Sequence, residues 1–304
     1  MSPDVSVVVP TYGRPALLRA CVQSVLGQQT RHAVEVVVVD DGGTPRARDT
    51  LADITDPRLR ILEQRNGGPA RARNHGLREA RAPVVAFIDD DCVAQEGWLE
   101  HGVNAFQPDV VMVQGPVAPP RRESLVEWHY IETGNGRHDL SCNFLVRRDV
   151  ALDLGGFDES FPLPCAEDMD FCWRMERRGR ILVEPQARVV HELVRMKWRR
   201  RRARPRMWES YFRLYGLHPE RIEMAVIPLI GRHARHMDPR ARIAISLALM
   251  QFVYILKFGR GAAPRAVAEE ALAGVLNIGE ALTRIPAYAE QYRAGRSGSK
   301  GARG

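Results

Sequence analysis

Val84-Val85-Ala86-Phe87-Ile88-Asp89-Asp90-Asp91-Cys92 carries an apolar run straight into three consecutive carboxylates. Five apolar residues of this kind read as a buried strand, and the acids then sit at its carboxyl end. Adjacent acids repel one another and are costly beside a core unless a cation neutralises them, so the segment is a candidate site on electrostatic grounds alone. Hard oxygen ligands suit Mg²⁺ or Mn²⁺, which keep several waters and share the phosphates of a bound nucleotide. The competing reading is a solvated acidic turn that caps a helix beginning near Glu96, since Asp is an ordinary residue of a helix's first turn.

A second acidic strand end favours the site. Val34-Glu35-Val36-Val37-Val38-Val39 is a β-branched run suited to a central parallel strand, and it stops at Asp40-Asp41-Gly42-Gly43. The first strand, Val5-Ser6-Val7-Val8-Val9, breaks at Pro10-Thr11-Tyr12-Gly13-Arg14-Pro15. A helical pattern follows, with Leu17, Leu18, Cys21, Val22, Val25 and Leu26 on one face. Three strands thus end in polar loops with helical stretches between them. The expectation is an α/β fold with a β-α-β-α-β nucleotide-binding half, its ligands gathered at the carboxyl ends of the strands.

Pro10-Thr11-Tyr12-Gly13-Arg14, Val39-Asp40-Asp41-Gly42, Asn66-Gly67-Gly68-Pro69-Ala70-Arg71-Ala72-Arg73-Asn74-His75-Gly76 and Asp89-Asp90-Asp91 follow one another along the chain. In that order they resemble the motifs of the family-2 glycosyltransferases. Gly155-Gly156-Phe157-Asp158-Glu159 and Ala166-Glu167-Asp168-Met169-Asp170-Phe171-Cys172-Trp173-Arg174 resemble that family's acceptor-side motifs. The likeness covers roughly residues 4 to 195. It implies a GT-A fold, in which a Rossmann-like, mostly parallel nucleotide-binding sheet joins a mixed acceptor-binding part.

The resemblance also assigns roles. Asp41 matches the acid that accepts a hydrogen bond from the donor base, and a carboxylate selects a base that offers an N–H. Pro10, Thr11, Tyr12 and Arg14 belong to the donor-binding loop, with Thr11 and Tyr12 around base and ribose. Arg73 is matched to the nucleotide or its phosphates, against the alternative of a solvated or ion-paired arginine on a helix face. In the Asp-x-Asp pattern Asp91 matches the metal ligand, while Asp89 or Asp90 reaches the ribose or the metal shell. Asp168 of the Glu167-Asp168 pair matches the general base of inverting members, with helix capping as its alternative role. His191, at the end of another apolar stretch, matches a histidine that in some relatives completes the metal or diphosphate site; a structural histidine is the alternative. The cofactor expected is a divalent metal, Mn²⁺ or Mg²⁺, beside a nucleotide-diphosphate sugar as donor, with a saccharide, lipid-linked or small-molecule acceptor.

The chain has 304 residues and 45% hydrophobic composition, enough for one large core and a helical appendage. Cys21, Cys92, Cys142, Cys165 and Cys172 are odd in number and show no C-x-x-C spacing, which points to a reducing compartment. Met1-Ser2-Pro3-Asp4 has no basic region and leads directly into the first strand, so a cytoplasmic location is expected. No internal repeat is found.

Charge is concentrated. The segment from Arg195 to Arg206 contributes +8 against a chain total of +7, leaving the rest slightly acidic. Trp198 and Trp208 flank it in the manner of an interfacial helix, so an anionic membrane surface is one candidate partner. A solvated face, or a grip on an anionic acceptor, is the alternative; nucleic acid is disfavoured because no recognition module accompanies the arginines. Helical patterns follow at 208–215, 225–233, 240–257 and 265–282. The uncharged stretch from Ile243 to Leu256 is 14 residues long, short of the length of about 20 that spans a bilayer. It suits a helix packed on the catalytic domain, a homodimer contact or a membrane-surface element. The expected organisation is a catalytic domain over 1–205, a helical region over 206–292 and a basic Gly/Ser tail over 293–304 that is disordered.

A second function class shares these features. Nucleotidyltransferases that make nucleotide sugars also use a parallel sheet and acidic metal ligands, but they favour a Gly-rich, lysine-bearing loop after the first strand. Here that loop holds a single glycine, Gly13, and no lysine.

Overall fold

The computed structural model describes residues 2–125, 127–198, 204–218, 221, 262–284, 286–287, 290–291 and 293–294. The chain forms two compact units. The first comprises Met1–Pro120, Tyr130–Ser160 and Glu167–Glu192, and the second Arg121–His129, Phe161–Ala166 and Leu193–Gly304.

In the first unit, β1 (Val5–Thr11), α1 (Pro15–Leu26), β2 (Val34–Asp40), α2 (Ala47–Thr50), β3 (Leu59–Glu63), α3 (Pro69–Glu79) and β4 (Val84–Ile88) come first. There follow β5 (Cys92–Ala94), α4 (Trp98–Asn104), β6 (Val110–Gln114) and β7 (Val117–Ala118). The second unit contributes β8 (Trp128–His129), after which the first resumes with β9 (Asn143–Arg147), α5 (Arg148–Asp153), α6 (Glu167–Glu176), β10 (Arg180–Val183) and β11 (Val189–His191). The second unit ends with β12 (Val194–Arg195), α7 (Arg204–Leu217) and α8 (Pro264–Thr283).

Seven strands form the main sheet in the order β10-β6-β9-β4-β1-β2-β3. β1 pairs in parallel with β2 and β4, β2 with β3, and β6 with β10, whereas β9 runs antiparallel between β4 and β6. The expected β-α-β-α-β half is present. Its valine-rich strands are buried along their length because helices cover the sheet, which is why they read as continuous apolar runs without alternation. The pairing of Val9 with Val38 and Thr11 with Asp40 brings the ends of β1 and β2 level.

Helix α1 buries Leu18, Cys21, Val22 and Val25, four of the six residues expected on its inner face, with Leu17 and Leu26 only partly covered. Helix α3 is more polar and approaches the sheet through Gly76. A Cβ there would meet Val8 Cγ1 at 2.4 Å, so glycine lets the helix backbone lie on the strands. The acids after β4 do not cap a helix directly. β5 intervenes, and α4 starts at Trp98 behind Gly97 with no side-chain cap, which removes the acidic-turn reading.

In the second unit, α7 and α8 fall where helical patterns were expected. β8 and β12 pair antiparallel, and Arg284 bonds Glu209. The expected helices at 225–233 and 240–257, residues 199–203 of the basic run, and the tail from 295 lie outside the described residues. Among the described residues no helix is long and apolar enough to cross a membrane.

Candidate active site

The acids after β4 lie beside the loop that follows β1, as the strand register requires. Asp90 is buried and accepts from Thr11 Oγ1 at 2.7 Å and from Arg14 Nη1 at 3.0 Å. Burial pushes its carboxyl up to about 6 despite the opposing charge of Arg14. Asp91 Oδ2 accepts from the same Nη1 at 2.7 Å. Asp89 turns the other way and accepts from Arg73 Nη2 at 2.8 Å.

Asp91 also faces His191. Strand β11 pairs antiparallel with β5 so that His191 stands opposite Cys92, and His191 Nε2 lies 3.6 Å from Asp91 Oδ1. On the far side of the ring, Nδ1 is 2.8 Å from the Glu192 carbonyl, which can only accept. The proton therefore sits on Nδ1, and in the neutral ring Nε2 turns its lone pair towards Asp91. Two lone-pair donors facing each other, one orienting bond behind the imidazole and excess acid alongside fit a divalent cation. Cys92 completes a group of three whose ligand atoms lie within 4.8 Å of one another. Its partner Cys142 and its burial push the Cys92 thiol up, so it is not a ready thiolate ligand.

Asp41 anchors a loop. Its Oδ1 accepts from Gln64 Nε2 and the Gly67 N–H, both at 2.8 Å, and its Oδ2 accepts from the Gly68 N–H at 2.9 Å. Three of about four lone-pair positions on the carboxylate are thereby filled, leaving one for a ligand. An open cleft of about 490 Å³ lies alongside, lined by Gly42, Arg46, Glu63, Gln64, Arg65 and Asn66. Its volume is in the range of small-molecule sites. Tyr12, the first residue of the loop after β1, is 58% exposed, a large apolar ring in water.

Arg73 forms a buried ion pair. It bonds Asp89 through Nη2 and reaches Glu167 Oε1 through Nη1 at 3.3 Å, joining residues 94 apart in sequence. Burial works against its charge, yet Asp89 and Glu167 hold the guanidinium above its ordinary pKa. Glu167 is itself pushed up by burial, with Arg73 opposing. Its neighbour Asp168 is raised to about 7, by burial first and then by the charge of Glu167. The Ser141 and Met169 backbone N–H groups donate to Asp168. A carboxyl group poised near neutrality is suited to taking a proton from a hydroxyl.

Aromatic packing fixes the position of Glu167 and Asp168. Phe171, one turn further along α6, stacks on Phe157 with centroids 4.3 Å apart, and Phe157 meets Phe87 of β4 edge-on at 5.3 Å. Phe144 of β9 lies between them, 5.6 Å from Phe87 and 5.9 Å from Phe171. Asn74 clamps the loop before α6: its Nδ2 donates to the Phe157 carbonyl and to Glu159, and its Oδ1 accepts from the Phe157 N–H, all at 2.8 Å. Gly156 permits this approach. It has φ +71, and a Cβ there would lie 2.3 Å from Asn74 Oδ1.

The structure brings together Thr11, Arg14, Asp89, Asp90, Asp91, Arg73, Glu167 and His191 through the contacts above, with Asp168 beside Glu167. Pro10 contributes through the backbone of β1, paired with Val39. Sequence reasoning missed the Asn74 clamp and the Cys92–Cys142 pair. The only advance signal for either was proximity to a motif, Asn74 following Arg73 and Cys92 following Asp91.

The family described as Glycosyl transferase family 2 matches residues 6–157, half of the chain. A pre-mycofactocin glycosyltransferase of Mycobacterium tuberculosis is 30% identical over 282 residues, covering 85% of this chain and 53% of the relative. The chain thus spans about half the length of that relative. A glucosyl-dolichyl phosphate glucuronosyltransferase of Haloferax volcanii is 34% identical over 218 residues, 62% of this chain and 69% of the relative. Among solved structures, a mannosyltransferase of Pyrobaculum calidifontis in complex with GDP-Man and Mn²⁺ aligns with a TM-score of 0.55 at 19% identity, covering 98% of this chain and 86% of that one. At that identity the likeness speaks for the fold: a mostly parallel α/β sheet of the GT-A kind.

Proposed function

The chain belongs to glycosyl transferase family 2, and we propose that it moves a sugar from a nucleotide-diphosphate donor to an acceptor hydroxyl with inversion at the anomeric carbon. The observation that carries this reading is the Arg73 bridge, which holds an acid of the donor side, Asp89, and an acid of the acceptor side, Glu167, on one buried cation.

Asp91 and His191 would hold the divalent cation, which when bound would offset charge on the departing diphosphate. Mn²⁺ suits a mixed carboxylate and imidazole set better than Mg²⁺, which prefers oxygen alone. Pro10, Thr11 and Tyr12 line the base and ribose, with Asp41 offering its remaining lone pair to a base N–H. Asp90 keeps Thr11 in place. Asp168 takes the proton of the attacking hydroxyl, and Glu167, held by Arg73, keeps negative charge beside it so that its affinity for that proton is high. The relatives named above are glycosyltransferases, which disfavours the nucleotidyltransferase alternative.

A lipid-linked saccharide is the acceptor class we favour, supported by the name of the Haloferax relative and by the basic run. The organisation that accompanies this reading is a catalytic domain over 1–205 followed by helices and a basic tail, working at an anionic membrane surface. Each basic side chain near such a surface contributes on the order of 1 kcal/mol. Co-sedimentation with anionic vesicles at low and high salt tests it, and equal sedimentation by wild type and a variant with Arg199, Arg200, Arg201 and Arg202 changed to Gln would contradict it.

The function itself is tested by incubating the protein with Mn²⁺, lipid-linked saccharide acceptors and a panel of UDP, GDP and dTDP sugars. Release of nucleoside diphosphate with matching sugar transfer is expected for one donor class. Pyrophosphate release from a nucleoside triphosphate and a sugar 1-phosphate, with no transfer, would overturn the reading.

A further inference from the structure

Two arginines serve the acid cluster, and they are held very differently. Arg73 is buried and bonded at both ends. Arg14 has a side chain 49% exposed, and a single nitrogen, Nη1, makes both of its bonds, to Asp90 and Asp91. Its other three N–H groups bond no protein atom among the described residues. Its backbone is fixed, because its carbonyl accepts the first bond of α1 from the Leu18 N–H and Pro15 follows. The stem is thus anchored, while the guanidinium is held at one nitrogen alone.

We propose that Arg14 is a replaceable counter-ion of the cation site: it holds Asp90 and Asp91 while no metal is bound, yields Asp91 to an entering divalent cation, and turns its fork to the diphosphate of the donor. The proposal rests on the reading of Asp91 and His191 as cation ligands. Three adjacent carboxylates need positive charge to coexist at the end of a buried strand. Arg73 accounts for Asp89, and Arg14 stands where it neutralises the other two. A cation bound between Asp91 and His191 would share Asp91 with a guanidinium 2.7 Å from its Oδ2, and like charges so close repel. Displaced, Arg14 keeps five donors in a planar fork, the geometry that grips phosphate oxygens in pairs. Metal and donor then bind cooperatively, because each favours the displaced position of the same side chain, and the coupling is reciprocal.

The test is Mn²⁺ binding to the purified full chain without donor, followed by electron paramagnetic resonance, for wild type, R14Q and R14M, with thermal melting to identify the folded proteins. Either variant should bind Mn²⁺ tighter than wild type by on the order of tenfold, since the competing charge is gone. At saturating Mn²⁺ the same variant should bind UDP and GDP more weakly than wild type, as measured by calorimetry. That opposite movement separates a replaceable counter-ion from a structural clamp, whose loss would weaken both. A folded variant that binds Mn²⁺ no tighter than wild type would overturn the proposal and leave the glycosyltransferase reading intact. Failure of wild type and variants alike to bind Mn²⁺, with or without nucleoside diphosphate, would overturn the cation reading and this proposal with it.

Discussion

The proposed donor and acceptor sides of the site are held by different forces. On the donor side, Thr11, Asp40 and the acids from Asp89 are placed by strand register, a ladder of backbone bonds that any β-branched sequence of this pattern can form. On the acceptor side, Glu167 and Asp168 are placed by side chains: the ring stack of Phe87, Phe144, Phe157 and Phe171, the Asn74 clamp and the Arg73 bridge. A register is local and repeats; a side-chain lock depends on particular residues far apart in sequence. The first survives many substitutions, whereas the second fails when one partner is lost.

That contrast can be broken at named positions. The largest effect is expected from Asp91→Asn, which removes charge from the cation's shell without altering shape. Transfer should be abolished with the fold retained by circular dichroism, and wild-type transfer should collapse in EDTA and return with Mn²⁺. Full activity in excess chelator would remove the cation from the account. Arg73→Met should cost about 3–5 kcal/mol in urea denaturation, because Glu167 and Asp89 lose the charge that compensates them. A loss near zero would mean that the two sides are not joined through Arg73. Asn74→Ala should cost about 1–3 kcal/mol by leaving the Phe157 N–H and carbonyl unpaired, and it should lower transfer more than donor affinity. A fall confined to donor affinity would place the clamp on the wrong side of the comparison.

Legibility in the sequence follows the same division. The parallel half could be read because an apolar run ending in acids needs no distant partner to be recognised. Strand β9 could not be placed in advance: its apolar run, Asn143–Arg147, has nothing local that fixes its antiparallel insertion between β4 and β6. Asp168 was singled out by motif, but its raised affinity for a proton arises from burial and then from Glu167, both consequences of packing. Arg73 was legible as a residue and not as a bridge, since Glu167 lies 94 positions away. Arg14 likewise stood in a donor-loop motif, yet its hold on two acids is visible only once β1 and β4 lie side by side.

The central claim is that the donor side binds and the acceptor side performs the proton transfer. It is tested most directly by measuring, for Asp168→Asn, both calorimetric affinity for the nucleotide sugar in Mn²⁺ and the rate of transfer across pH. As the proposed base Asp168 would have to be ionised, and it is raised to about 7, so wild-type transfer should fall about tenfold per pH unit below that value. The variant should bind donor within about twofold of wild type while transferring two to four orders of magnitude more slowly, roughly the share of general-base catalysis, and its residual rate should lose that pH dependence. Donor affinity that falls in step with the rate, or near-wild-type transfer by the variant, would contradict the account.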